Sequence, residues 1–241
     1  MNPKNKQLPA GPHISSAFDE DLMLVQAKIS EMGGIAEEQL SNALDALQNR
    51  DGDLAAKVIA RDKRLNELES EVEEMSIRLI ALRQPVAIDL RVVIASLKIS
   101  NTLERIGDLA VNVARRVELL IAGRPGRSTQ SLIRMGAQTL DQLTNVLDAH
   151  VSRDPELALS IWQRDQDLDE VYNAIFREIV SYMIEDPRVV GHGSQLLFIA
   201  KNLERIGDHT THIADAVYYI CEGEPLPDDR PKGGPVGLGI D

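Results

Sequence analysis

The sequence predicts an all-α protein built as two tandem, pseudo-symmetric three-helix bundles, with six long helices in all. Three observations predict it. Apolar residues recur at three- and four-residue spacing over long stretches, and strand-like alternation is absent. Breaks rich in Gly, Pro and Asp separate these stretches. The chain also repeats itself, half against half.

The first helix runs from Ser16 to Asn49, and Asp51-Gly52-Asp53 turns the chain. The second runs from Asp53 to Leu82 and stops at Gln84-Pro85, because a residue before Pro avoids the helical region. The third spans Ala87 to Ala122, and Gly123-Arg124-Pro125-Gly126 breaks it. The fourth starts near Ser128, an expected N-cap, and ends at Ser152. Asp154-Pro155-Glu156 opens the fifth, with Asp as cap and Pro in the first position, and Asp186-Pro187 closes it. The sixth spans Gly193 to Glu222. Helices of about 30 residues make rods of about 45 Å. Residues 1–15 and 223–241, rich in Pro and Gly, are expected to be a mobile arm and tail.

Shifted by 103 residues, 32–67 matches 135–170 at sixteen of 36 positions, including Leu44/Leu147, Arg50/Arg153, Asp51/Asp154, Arg61/Arg164, Asp62/Asp165 and Leu65/Leu168. Ordinary composition gives roughly two or three matches. At a shift of 100, Leu103-Glu104-Arg105-Ile106-Gly107-Asp108 recurs as Leu203-Glu204-Arg205-Ile206-Gly207-Asp208. The chain is therefore a duplicated three-helix unit, 16–122 and 127–222.

Composition narrows the function. Lys plus Arg is 26 and Asp plus Glu is 38, a net charge of −12, with 3% aromatic residues. Such a chain lacks the basic surface and the stacking rings of a nucleic-acid binder. A single cysteine, Cys221, cannot make an internal disulfide. The N-terminus lacks a secretory signal, and no apolar run reaches the length of a membrane span. A cytoplasmic protein is expected.

Polar residues interrupt the apolar seams in both halves. Leu54, Val58, Leu65, Leu68 and Val72 follow a heptad broken by Arg61-Asp62, and Leu157, Ile161, Leu168 and Val171 are broken by Arg164-Asp165. A charge in such a seam costs stability, so its recurrence marks either a retained polar site or an Arg–Asp pair that fixes register. The small residues Ser100, Gly107 and Ala114, matched by Ala200, Gly207 and Ala214, form a stripe expected in the core where the two copies meet.

Glu104 and Asp108 lie one turn apart on one helix face, as do Glu204 and Asp208. Each glutamate falls at the edge of the apolar stripe, where a carboxylate needs a cation. Two candidates remain open. Arg105 and Arg205 can neutralise the carboxylates, or a metal can, since facing helices of bundles build hard-metal sites this way. Oxygen ligands alone favour Mg or Mn, and an added imidazole favours Fe or Zn. His212 shares the face of Glu204 and Asp208, whereas Asn112 stands there in the first half. His13 and His192 fall in loops and receive no role. No Gly-x-Ser-x-Gly, phosphate-binding Gly-rich loop or Cys-x-x-Cys occurs, and no His has Glu three residues before it. Binding is therefore favoured over catalysis.

The repeated Leu-Glu-Arg-Ile-Gly-Asp, with Arg83-Gln84-Pro85-Val86-Ala87-Ile88-Asp89-Leu90-Arg91 and Tyr182-Met183-Ile184-Glu185-Asp186-Pro187-Arg188, resembles the PhoU family over about residues 17–222. The resemblance implies a cytoplasmic, often dimeric, all-α regulator that represses the phosphate-starvation response. It implies two partners, the ATPase subunit of the phosphate ABC transporter and a membrane sensor histidine kinase. It also implies metal at Glu104, Asp108, Glu204 and Asp208, with Asp62 and Asp165 as polar positions facing them. The rival readings are a carboxylate-bridged metal enzyme of the bundle type and a metal-free structural adaptor held by Arg–carboxylate pairs.

Overall fold

The computed structural model describes residues 16–61, 63–121 and 127–227. Among them are seven α-helices: α1 (Ser16–Asn49), α2 (Gly52–Ala60), α3 (Lys63–Arg83), α4 (Ile88–Leu120), α5 (Arg127–Ser152), α6 (Pro155–Glu185) and α7 (Val190–Glu222). A single 3₁₀ turn, Pro187–Val189, joins α6 to α7. The first bundle is α1, α2–α3 and α4, and the second is α5, α6 and α7.

Equivalent residues start equivalent helices. Asp51 accepts the Leu54 N–H at 2.9 Å to cap α2, and Asp154 accepts that of Leu157 at 2.9 Å to cap α6. Just before each cap stands an arginine in the left-handed region, Arg50 at φ 58° and Arg153 at φ 52°. The helix expected over 53–82 departs from its continuous counterpart α6. The Arg61 N–H bonds to Val58 O and the Arg64 N–H to Arg61 O, each three residues back, so the turn tightens to 3₁₀ type between α2 and α3. Ser128 lies inside α5, and its hydroxyl donates to Glu178 at 3.0 Å rather than capping the helix. Within residues 223–227, expected to begin a mobile tail, Leu226 is packed: it is buried and its N–H donates to Asp215 at 2.9 Å.

The halves meet through two antiparallel pairs, α1 with α5 and α4 with α7. Arg116 of α4 donates to Gln195 and stacks over Phe198 of α7, while Arg91 and Lys98, near the other end of α4, lie over Tyr219. The α1–α5 contact is reciprocal. A Cβ on Gly33 would overlap Leu147, and one on Gly136 would overlap Leu44. These are equivalent residues of the repeat, so an approximate twofold relates the halves.

The small-residue stripe is buried as expected, but that geometry corrects where its glycines face. Gly107 faces Leu65 and Gln39 of its own half, and Gly207 faces Leu168 and Gln142 of its own. The motif glycines close each bundle internally, and Gly33 and Gly136 serve the seam between copies.

The symmetry fails usefully at one core position. His150 occupies the place of Leu47 and is 7% exposed, with its Nδ1 lacking a hydrogen-bond partner. Burial, then the nearby Arg153 charge, pushes its pKa down from 6.5 to about 4. The neutral ring therefore contributes stability above pH 6.5 that is lost as pH falls toward 4, by roughly 3 kcal/mol at most. Replacing His150→Leu, the residue of the first half, should flatten the loss of thermal stability between those pH values. An unchanged acid profile would show that His150 does not control it.

Candidate functional site

The duplicated motif sits at the crossing of α4 and α7. Each glycine there lets the second helix of its bundle close in, and this places the glutamate one turn before it at the edge of the core. Glu104 is 8% exposed, and Asp108 is half-exposed. Arg105 bridges them, with Nε 3.4 Å from Glu104 and Nη1 3.7 Å from Asp108. The Arg-neutralised arrangement anticipated for the first half is thus present.

The second half uses a different cation. Lys201 lies 2.7 Å from both oxygens of Glu204, with its ammonium over the Tyr172 ring. Burial is the main cause that raises the Glu204 pKa; Lys201 opposes it, and Asp208 and Asp169 add to it. Asp169 therefore faces Glu204 from α6, and Asp165, one turn earlier on α6, is 1% exposed. Asp169 and Asp208 thus lie within electrostatic reach of Glu204.

His212 does not extend this group inward. Its ring is exposed and stands edge-on to His209 with centroids 5.6 Å apart. His209 is the more buried of the two, and burial together with His212, Arg205 and Arg105 lowers its pKa against the opposing pull of Asp208. Asp62 lies outside the described residues. Its neighbours Arg61 and Arg64 reach to α1, pairing with Glu38 and Glu31 respectively. Among the described residues, no three His, Cys, Asp or Glu side chains are grouped as they would be around a metal ion. Glu104 and Asp108 are held by Arg105, and Glu204 is held by Lys201.

Sequence reasoning missed Asp169, Lys201 and a pair of glutamines. Gln39 is 2% exposed with neither amide atom hydrogen-bonded among the described residues, and the Gln142 carbonyl is likewise unpaired. They line two equivalent clefts of about 390 and 450 Å³, between α1 and α2 and between α5 and α6. Both glutamines fall in the aligned repeat, as Glu38-Gln39-Leu40-Ser41-Asn42 and Asp141-Gln142-Leu143-Thr144-Asn145, and that recurrence was the available signal.

The fold and the paired motif define a duplicated protein of two three-helix bundles. Comparison with known proteins makes this specific. The PhoU domain profile matches residues 29–117 and 132–217. A "Phosphate-specific transport system accessory protein PhoU homolog" of Caulobacter vibrioides is 47% identical over 221 residues, 91% of this chain and 96% of that one. The "Phosphate-specific transport system accessory protein PhoU" of Escherichia coli is 37% identical over 222 residues, 92% of this chain and 91% of that one. The crystal structure of PhoU from Pseudomonas aeruginosa superposes with a TM-score of 0.84 at 38% identity, covering 86% of this chain and all of that one. That of the phosphate transport system regulatory protein PhoU from Streptococcus pneumoniae gives 0.81 at 31%, covering 87% and 99%. The chain belongs to the PhoU family.

Proposed function

We propose that this chain is a cytoplasmic negative regulator of phosphate uptake and phosphate-starvation signalling. In this reading it acts as a homodimer, docking between the ATPase subunit of the phosphate ABC transporter and the sensor histidine kinase. The observation that carries the reading is likeness across the whole duplicated body to relatives named as accessory proteins of phosphate transport. Those names also favour an adaptor over an enzyme.

Surface chemistry supports docking. The corner between α3 and α4 exposes Leu82 at the end of α3, Val86 in the loop and Ile88 at the start of α4, and the loop's Gln84 and Ala87 hold left-handed φ values of 48° and 51°. The far end of the molecule exposes Tyr182, Ile184 and Val190. Exposed apolar residues on a strained loop are expected where a partner covers them. Among the described residues, no helix is long and apolar enough to cross a membrane, so contact with the membrane would run through partners.

Metal binding by Mg, Mn, Fe or Zn at Glu104, Asp108, Glu204 and Asp208, with Asp62 and Asp165 opposite, is a second part of the proposal. Its ground is the recurrence of the carboxylates in both halves, and it requires Arg105 and Lys201 to release them.

Two measurements test these parts separately. Deleting the gene should raise a phosphate-starvation reporter such as alkaline phosphatase in excess phosphate, and the wild-type gene should return it to low. An unchanged reporter, also after removal of any second copy, would contradict the regulatory reading. Protein purified without chelators should carry stoichiometric metal that Glu204→Gln reduces. Metal-free wild-type protein would leave the adaptor held by Arg105 and Lys201.

A further inference from the structure

Four helix ends converge at one end of the seam between the halves: the last turns of α1 and α4 and the first turns of α5 and α7. They enclose a cavity of about 110 Å³. Its polar lining is Gln48, Arg50, Thr129 and His192, against aliphatic walls from α1 and α4. Among the described residues, no Asp or Glu lines it. In a chain with 38 acidic and 26 basic residues, a cavity whose described lining offers Arg50 and His192 and no carboxylate favours an anion.

The two basic groups are positioned by the fold. Arg50 holds φ 58°, a conformation that glycine adopts freely and a side chain does not. Its Nη2 donates to Leu120 O at 2.7 Å, which fixes the guanidinium at the cavity wall. His192 lies in the first turn of α7, not in the loop that the sequence indicates. Burial and the Arg50 charge both push its pKa down, so the two groups are close enough to repel. An anion between them would turn that repulsion into shared attraction, with the Thr129 hydroxyl and the Gln48 amide as further donors.

From this geometry we infer that the Arg50–His192 cavity binds free inorganic phosphate. The volume, several times the ~10–15 Å³ that one water needs on the same measure, has room for a tetrahedral ion. The site is single. At the equivalent place in the other half, Arg153 matches Arg50, but Val92 stands for His192 and Val151 for Gln48. Bound phosphate would tie the end of α1 to the starts of α5 and α7, across the seam, and so couple the relative setting of the halves to phosphate. The regulatory meaning rests on the reading proposed above; the binding itself does not.

The test is a titration of inorganic phosphate into the full-length protein, following heat and the His192 ring resonances. Saturation near one equivalent per chain is expected, with the His192 signals shifting over the same range. Arg50→Gln, which keeps a donor for Leu120 O, and His192→Gln should each weaken binding about tenfold or more. Arg153→Gln should leave it unchanged. Thermal unfolding checks that each variant is folded, and should Arg50→Gln fail there, His192→Gln carries the comparison. No saturable binding by the wild type, or full binding by folded Arg50→Gln or His192→Gln, overturns the proposal. So does equally tight binding of O-phosphoserine, which would reassign the cavity to a phosphorylated side chain. A chain that represses the reporter without binding phosphate contradicts this inference alone. One that binds phosphate without repressing contradicts the regulatory reading alone.

Discussion

The close approach of a leucine to a mid-helix glycine, made once in each half, is the contact on which the rest of the structure depends. Gly107 admits Leu65, and Gly207 admits Leu168. Glycine in a helix interior costs about 1 kcal/mol against alanine, so two such residues in long buried helices need a packing return. The return is a second helix drawn tightly onto α4 or α7. That closeness carries Glu104 and Glu204, one turn away, to the margin of the core. There they need the cations Arg105 and Lys201.

Duplication then sets what the two halves share and where they differ. The seam glycines Gly33 and Gly136 exchange contacts with Leu147 and Leu44, so an approximate twofold passes between the bundles. Strict equivalence would give each end of the molecule the same chemistry. Single substitutions break it: His150 replaces Leu47 in one core, and His192 replaces Val92 at the opposite end. The outcome is a body with common architecture and chemically distinct ends.

Much of the fold was legible because its signals are local or repeated. Asp51 and Asp154 announce their helices by chemistry that acts within three residues. The repeat revealed the two bundles without any knowledge of contacts. What stayed hidden depends on which residues meet in space. The stripe through Gly107 could be read as core, but whether it faced its own half or the other was a tertiary fact. The tightened turn at Arg61 could not be seen either, because the same Arg-Asp pair, Arg164-Asp165, lies in an unbroken helix. At the site, the sequence showed the motif carboxylates but not that Lys201, rather than Arg205, would sit on Glu204. Asp169 was invisible for a related reason: its equivalent in the first half is Asn66, so no repetition marked it.

The most direct test of the glycine–leucine contact is a double-mutant cycle of Gly107→Ala and Leu65→Ala, followed by thermal or denaturant unfolding. Gly107→Ala alone should destabilise the protein by about 1–3 kcal/mol, despite the gain in helix propensity, because the new methyl meets a packed leucine. In the Leu65→Ala background the same methyl should be neutral or stabilising, leaving a coupling of about 1–3 kcal/mol. Additive effects, or a Gly107→Ala variant more stable than the wild type, would contradict the claim that this approach holds the bundle closed and sets the motif in place.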